Sequence, residues 1–145
     1  MPDTVREQII QAVVTKCADL TTNTVDRVHR YHHVNNAPNV SIWDAEDTPE
    51  PSAYGTHNGY FPVTIYLQWQ ITNNASVEAN EMLGNVLTLF YGAGSDTTLG
   101  GLARRVAYAG AVPTYPDDGS NLVALEVTFN IYYATVFGDP FTLPT

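Results

Sequence analysis

The stretch Phe61-Pro-Val-Thr-Ile-Tyr-Leu-Gln-Trp-Gln-Ile71 is the longest run of alternating apolar and other residues in this 145-residue chain. Successive side chains of a β-strand point to opposite sides, so every second residue of the stretch shares one face. The apolar face carries Phe61, Val63, Ile65, Leu67, Trp69 and Ile71. A strand of this length needs partner strands and a covering layer to bury that face. We therefore expect it to be the central strand of a sheet.

Two helical patterns supply the covering layer. In residues 4–20, apolar side chains recur at helical spacing. Thr4 followed by Glu7 is a capping-box pattern, in which each side chain would satisfy a free backbone donor at the helix start. A second helical pattern begins after Asn74 or Ser76, either of which would serve as its N-cap.

The second helical pattern ends before Gly92 and contains Gly84. A glycine inside a helix weakens it by about 1 kcal/mol relative to alanine. The position therefore predicts that Gly84 packs closely against a neighbouring element.

Other segments predict the remaining strands. A short strand is expected at residues 38–43, a third at residues 102–108, and a long last strand at residues 122–135 after a hairpin turn. Residues 44–60 combine carboxylates with proline and glycine, which predicts a flexible acidic contact loop. This order predicts an α+β fold, a mostly antiparallel β-sheet covered on one face by two α-helices.

Length and charge bound the possible functions. We expect a single domain over residues 1–137 and an extended C-terminal tail over residues 138–145. Fifteen acidic and six basic residues give a net charge of -9, which argues against general nucleic-acid binding because that needs clustered lysine and arginine. The sequence contains neither a signal-peptide pattern at its start nor an apolar run near the roughly 20 residues of a membrane helix, so we expect no membrane partner.

A histidine-rich segment in the first third of the chain allows one enzymatic alternative. His29 and His33 are four residues apart, a spacing that places two imidazoles on one face of a helix. A metal-dependent hydrolase would use His29, His32 or His33 with Asp44 or Glu46 as metal ligands. The sequence has no Glu or Cys at a ligand-like spacing from them, and a solvated turn or a subunit contact is the simpler interpretation.

Other chemistry has little support in the sequence. Cys17, the one cysteine, lies on the core side of the first helix, and no serine sits in a Gly-x-Ser-x-Gly elbow. Gly100 and Gly101 lack the Lys-Ser/Thr pair that a phosphate-binding loop requires. We therefore expect no catalytic residue, no cofactor and no bound metal.

Two motifs accompany this order of elements. Asp96-Thr-Thr-Leu-Gly-Gly-Leu-Ala103 follows the second helix, and Leu122-Val-Ala-Leu-Glu-Val-Thr-Phe-Asn-Ile-Tyr-Tyr133 forms the last strand. With the helix and strand order, they resemble the tail terminator proteins of long-tailed bacteriophages, the minor tail protein U-like family. The likeness spans residues 5 to about 135 and lies in element order and loose motifs.

The resemblance implies a structural virion protein without enzymatic activity or cofactor. It implies a hexameric ring that caps the finished tail tube, ends tube polymerisation and presents the surface that joins the head. The protein would be assembled in the host cytoplasm and lie at the head-tail junction. Its partners would be copies of itself, the tail tube protein and a neck or head-completion protein, with DNA only as passing cargo in the lumen. A neck or head-closure protein and a tail tube subunit are the alternatives within phage assembly.

Charge and position indicate which residues would contact other subunits or partners. The positive segment around Arg27 and Arg30 would pair with the acidic loop of the next subunit. The candidate contacts are Arg27, Arg30, Asp44, Glu46, Asp47, Glu50, Arg104, Arg105 and Phe141.

Overall fold

The computed structural model describes residues 2–21, 25–28, 38–52, 54–92, 94, 96–116 and 121–144. The helices are α1 (Val5–Cys17), which continues into a 3-10 turn (Ala18–Leu20), and α2 (Ala75–Tyr91). The strands are β1 (Asp26–Arg27), β2 (Asn39–Asp44), β3 (Thr48–Glu50), β4 (Thr56–Gln70), β5 (Arg105–Thr114) and β6 (Leu122–Val136). These elements confirm the predicted α+β class.

The strands form one sheet in the order β1-β2-β4-β6-β5, with β3 also paired to β4. The β1–β2 pair is parallel, and the other pairs are antiparallel. β4 and β6 pair along their whole length, from Thr56 opposite Val136 to Gln70 opposite Leu122. The two long alternating stretches of the sequence are therefore the two central strands.

Both helices lie on one face of the sheet and bury its apolar side chains. α1 packs against β2 and α2, while α2 packs against β5 and β6. The central strands bury Phe61, Val63, Ile65, Leu67, Val123, Leu125, Val127, Phe129 and Ile131. The helices bury Val5, Ile9, Ile10, Val13, Cys17, Ala79, Val86 and Phe90. The apolar face predicted for the central strand is thus the core of the protein.

The helix starts follow the predicted capping residues, with one difference. Thr4 Oγ1 accepts a hydrogen bond from the backbone N–H of Glu7 at 3.1 Å. Asn74 caps α2, because its side-chain oxygen accepts hydrogen bonds from the backbone N–H groups of Ser76 at 3.0 Å and Val77 at 3.2 Å. The Glu7 carboxylate, which was expected to complete the capping box, instead accepts hydrogen bonds from Arg27.

The prediction of a loop over residues 44–60 is wrong. β3 lies within this range and pairs with the start of β4, which already begins at Thr56. The residues that suggested a loop face each other in this pairing, Pro49 opposite Gly59. An edge strand tolerates proline because one of its sides needs no ladder hydrogen bond. A Cβ on Gly59 would lie only 3.0 Å from the Thr48 carbonyl oxygen, so the hairpin requires glycine there.

Two smaller predictions also differ from the structure. Gly84 is exposed, and a Cβ built on it meets no described atom within 4 Å, so the predicted close packing is wrong for the described part of the chain. The third strand begins only at Arg105, because the Asp96 carboxylate accepts hydrogen bonds from the N–H groups of Thr98 and Gly100 and holds the preceding residues in turns.

The residues after β6 turn back onto their own domain. The Pro140 carbonyl accepts a hydrogen bond from the backbone N–H of Val5 at 2.9 Å. The N–H of Val136 donates to the Thr142 carbonyl, also at 2.9 Å. The segment expected to be an extended tail therefore binds the N-terminal end of α1.

Candidate interaction surfaces

Arg6 links the start of α1 to the connection between β2 and β3. Its guanidinium donates hydrogen bonds to Asp44 Oδ2 at 2.9 Å, to Asp47 Oδ1 at 3.3 Å and to the Ala45 carbonyl at 2.6 Å. It also lies over the ring of Phe61, 4.0 Å from the ring centroid. Two of the predicted contact residues, Asp44 and Asp47, therefore have a cationic partner within their own subunit.

Tyr133 joins this network from β6. Its hydroxyl donates a hydrogen bond to Asp47 Oδ1 at 2.7 Å, and its ring packs edge-on against Phe61 with centroids 5.6 Å apart. Burial, together with the hydrogen bond and charge of Asp47, raises the pKa of Tyr133. Neither Arg6 nor Tyr133 was expected at a site, because they come from opposite ends of the chain and meet only once the sheet register is known.

Arg27 in β1 also binds within its own subunit. Its two terminal nitrogens donate hydrogen bonds to the two Glu7 carboxylate oxygens at 2.6 and 3.0 Å. This two-pronged bond lowers the pKa of Glu7 and raises the pKa of Arg27. The Arg27 guanidinium is thus already engaged in the subunit, which weakens its predicted role as a contact. Arg30, the other basic residue of that prediction, lies outside the described residues.

The residues of the hydrolase alternative do not assemble in the described part of the chain. His29, His32 and His33 lie outside it, and Asp44 is engaged by Arg6. Among the described residues, no group of three or more His, Cys, Asp or Glu side chains is placed to hold a metal ion.

Cys17 is a core residue. It is fully buried in α1, and burial raises the pKa of its thiol to about 12. The thiolate, not the thiol, is the nucleophilic form. At neutral pH this side chain therefore behaves as a small apolar group.

Arg104 and Arg105 form an exposed basic pair at the start of β5. The Arg105 guanidinium carbon lies 4.1 Å from the centroid of the Tyr132 ring, and the Arg104 N–H donates to the Tyr132 carbonyl at 2.7 Å. Within the described residues neither guanidinium makes an ion pair.

Glu46 lies between β2 and β3, and Glu50 is the last residue of β3. Glu46 is exposed, and Glu50 is half-buried. Neither carboxylate has an ion-pair partner in the described ranges. Glu50, the two arginines and Tyr132 border one shallow hollow of about 340 Å³.

The sheet face opposite the helices carries mainly uncharged polar and aromatic side chains, together with the charged Glu126 and Arg105, which pair with Tyr66 and Tyr132 in the sheet. The rings of Tyr60 and Tyr132 lie 5.0 Å apart, and the hydroxyls of Thr64 and Thr128 lie 3.0 Å apart. Such cross-strand pairs stabilise a two-strand ladder, and tyrosine is enriched in protein contact surfaces. We refer to this surface as the outer face; it comprises Tyr60, Thr64, Tyr66, Thr128, Asn130 and Tyr132.

Aromatic side chains are exposed at the end of the sheet where β4 begins and β6 ends. Tyr54 is fully exposed, and Phe137 exposes 73% of its surface. A mainly apolar groove of about 580 Å³ runs beside these two residues and Val136. Phe141, a predicted contact residue in the tail, exposes 42% of its surface. Tyr54 and Phe137 were not expected as contacts, because no periodic pattern marks a residue in a turn.

A membrane-spanning helix is not found in the described part of the chain, where no helix combines the necessary length and apolarity.

Comparison with known proteins identifies the fold. No family model and no curated protein matches the chain. Among solved structures, a chain of the virion of the native gene transfer agent (GTA) particle is similar, with a TM-score of 0.50 and 13% sequence identity. The match covers 90% of this chain and 92% of the virion chain. The fold is therefore similar to that of a virion chain over nearly the whole length of both chains.

Proposed function

We propose that this protein is a structural subunit of a phage-like virion, and more specifically a tail terminator that forms a closed, hexameric ring on the tail tube. The observation that carries the proposal is the fold shared with the GTA virion chain across nearly the full length of both chains. Apart from the short strands β1 and β3, the order of helices and strands is that on which the tail terminator resemblance rests, which supports the finer assignment.

The surfaces of the subunit suit a protein that works by contact. The outer face is rich in tyrosine and uncharged polar groups, which are adapted to a partner that excludes water. The aromatic residues Tyr54 and Phe137 project from one end of the sheet. A terminator needs separate surfaces for its neighbours in the ring, for the tube and for the neck, so several distinct surfaces on one small domain fit this role.

The perturbed side chains have structural explanations. The pKa shifts of Glu7 and Tyr133 come largely from an ion pair and from burial within the subunit. Burial keeps Cys17 in the unreactive thiol form. The proposal accordingly assigns the protein no catalytic step and no cofactor.

The net charge of the chain is compatible with the proposed passage of DNA through the ring. A chain with a net charge of -9 repels the phosphate backbone. An acidic ring would therefore let DNA pass through its lumen without holding it. The proposed protein partners are other copies of the chain, the tail tube protein and a neck or head-completion protein.

A tube-capping assay tests the proposal. Purified protein is added to polymerising tail tubes of the same virion, and tube lengths are measured in negative-stain images, with a parallel reaction that lacks the protein. A terminator stops elongation and adds a ring of density to one tube end. Tubes that grow to the same lengths as in the parallel reaction would contradict the proposal. Incorporation along the tube would identify a tube subunit instead.

A further inference from the structure

A small hollow lies in the outer face beside Trp43. It has a volume of about 180 Å³ and is lined by Trp43, Thr64, Tyr66, Glu126 and Thr128. All five residues are half-buried. Pockets for drug-sized ligands measure about 300–1,000 Å³. This hollow therefore has room for one side chain of a partner and not for a larger ligand.

The sheet register brings the lining residues together. Trp43 pairs with Thr64, and Thr64 pairs with Thr128. Thr128 pairs in turn with Gly110, which has no side chain to fill the space beside it. The other two lining residues are direct partners in the next row of the same face, about 7 Å away. The two short threonines between larger side chains thus form the floor of the hollow.

Glu126 is a carboxylate without a cation close to it in the described structure. In the described ranges it makes no ion pair. Arg105, on the same face, is held 4.1 Å from the centroid of the Tyr132 ring, and Tyr132 lies about 20 Å along β6 from Glu126. Exposed charges are largely screened from one another beyond about 8 Å at physiological ionic strength. Arg105 therefore does not neutralise Glu126.

The polar atoms of the hollow suit a ligand that donates hydrogen bonds. The ionised carboxylate of Glu126 only accepts hydrogen bonds, and a threonine hydroxyl accepts more of them than it donates. The hydroxyls of Thr64 and Thr128 lie 3.0 Å apart and share one hydrogen bond. Arginine carries five N–H donors and no acceptor. An arginine side chain therefore matches these polar atoms.

The chain itself binds one arginine with the same combination of groups. The Arg6 guanidinium lies 4.0 Å from the centroid of the Phe61 ring and donates hydrogen bonds to Asp44 and Asp47. Aromatic rings attract cations, and tryptophan does so most strongly. The hollow also offers aromatic rings beside a carboxylate, and no basic side chain of the described residues lines it.

We propose that this hollow binds an arginine side chain of a different protein, which docks on the outer face. Glu126 accepts hydrogen bonds from the guanidinium through both carboxylate oxygens, and the rings of Trp43 and Tyr66 contact it as a cation. A subunit with a net charge of -9 repels its own copies but attracts a partner that presents basic side chains. The inference goes beyond the proposed ring and does not depend on it.

A titration with model peptides tests the site. The chain has two tryptophans; Trp43 lines the hollow, and Trp69 is buried in the core. Their indole N–H signals are followed by NMR while acetyl-Gly-Arg-Gly-amide is added at millimolar concentrations. The Trp43 signal is expected to shift and to saturate, and the Trp69 signal to stay in place. The same peptide with citrulline, which has a similar shape but no charge, should shift neither signal.

A pair of variants separates the site from the effect of net charge. Glu126→Gln is expected to weaken binding of the arginine peptide by at least about fivefold, because it removes the charged acceptor. Glu81→Gln changes the net charge equally, but Glu81 is exposed on α2, and this variant is expected to bind like wild type. Circular dichroism shows whether each variant remains folded. The comparison of arginine and citrulline peptides uses only the wild-type protein.

The other outcomes each contradict part of the proposal. A Trp43 signal that does not saturate, equal shifts with arginine and citrulline, or unchanged affinity in Glu126→Gln would overturn the site. If Glu126→Gln loses self-association in light scattering, the arginine belongs to a second copy and not to a different protein. Arg30 lies outside the described residues, and a gain of peptide affinity in Arg30→Gln would assign the hollow to the chain's own arginine. Ring formation by wild type is measured separately, so the ring and the arginine site can fail independently.

Discussion

At the scale of single residues, two arginines show how burial and the number of partners determine the contribution of an ion pair to stability. Arg6 bonds two carboxylates and a carbonyl and packs on the ring of Phe61. Arg27 binds one carboxylate, and its side chain is 39% exposed compared with 26% for Arg6. Exposed pairs contribute about 0–1 kcal/mol. Removing one partner from a half-buried network costs about 1–3 kcal/mol, because the remaining groups lose their hydrogen bonds.

We therefore expect Arg6→Ala to lower the free energy of unfolding by about 1–3 kcal/mol, since Asp44 and Asp47 would lose their cation. Arg27→Ala is the matched control and should lower it by no more than about 1 kcal/mol. Urea unfolding followed by circular dichroism measures both. Equal losses in the two variants would mean that the Arg6 network has no special role in the fold.

At the scale of the elements, helix α2 carries a glycine that packs against no other described element. Gly84 is exposed, and a Cβ there would meet no described atom within 4 Å. Gly110, at the β-bulge in β5, is different because its φ of +128° is a backbone conformation that suits glycine. The same substitution should therefore have opposite effects at the two positions.

We expect Gly84→Ala to raise the free energy of unfolding by about 0.5–1 kcal/mol, the difference in helix propensity. Gly110→Ala should lower it, because alanine is strained at that φ. Thermal and urea unfolding of the two variants make the comparison. A destabilising Gly84→Ala would show that the exposed side of α2 packs against something within the folded chain.

The periodicity of the sequence predicted some of these elements and missed others. β4 and β6 follow from the sequence because apolar and polar residues alternate along them, and both helices follow from their spacing and caps. β3 was missed because Pro49 and Gly59 are loop residues in most contexts, and here they face each other in a ladder. The parallel contact of β1 with β2 has no local pattern that would predict it.

At the scale of the whole molecule, the candidate contacts could be predicted only in part. Charge and position suggested nine residues, but the sequence does not say which of the charged ones form ion pairs within a subunit. The fold brings Arg6 to Asp44 and Asp47, and it brings Arg27 to Glu7. These ion pairs join residues far apart in the sequence, so they could not be predicted before the positions of the helices and strands were known. Among the charged candidates in the described residues, Arg104, Arg105, Glu46 and Glu50 remain without an ion-pair partner.

A ring or a filament of identical subunits needs two different contact surfaces on each subunit, one for each neighbour. Contacts between two different surfaces close into a ring when the rotation between copies completes a circle, and they form open filaments when it does not. The tail terminator proposal requires the closed form. A tube subunit, the alternative within phage assembly, requires stacking without an end.

The mass and shape of the purified protein in solution distinguish these forms most directly. Light scattering over a concentration series, combined with negative-stain images of the same samples, is the measurement. The account predicts closed rings of a single size, about six subunits by the tail terminator resemblance, whose mass stays constant once assembly is complete. Filaments that lengthen as the concentration rises would contradict it.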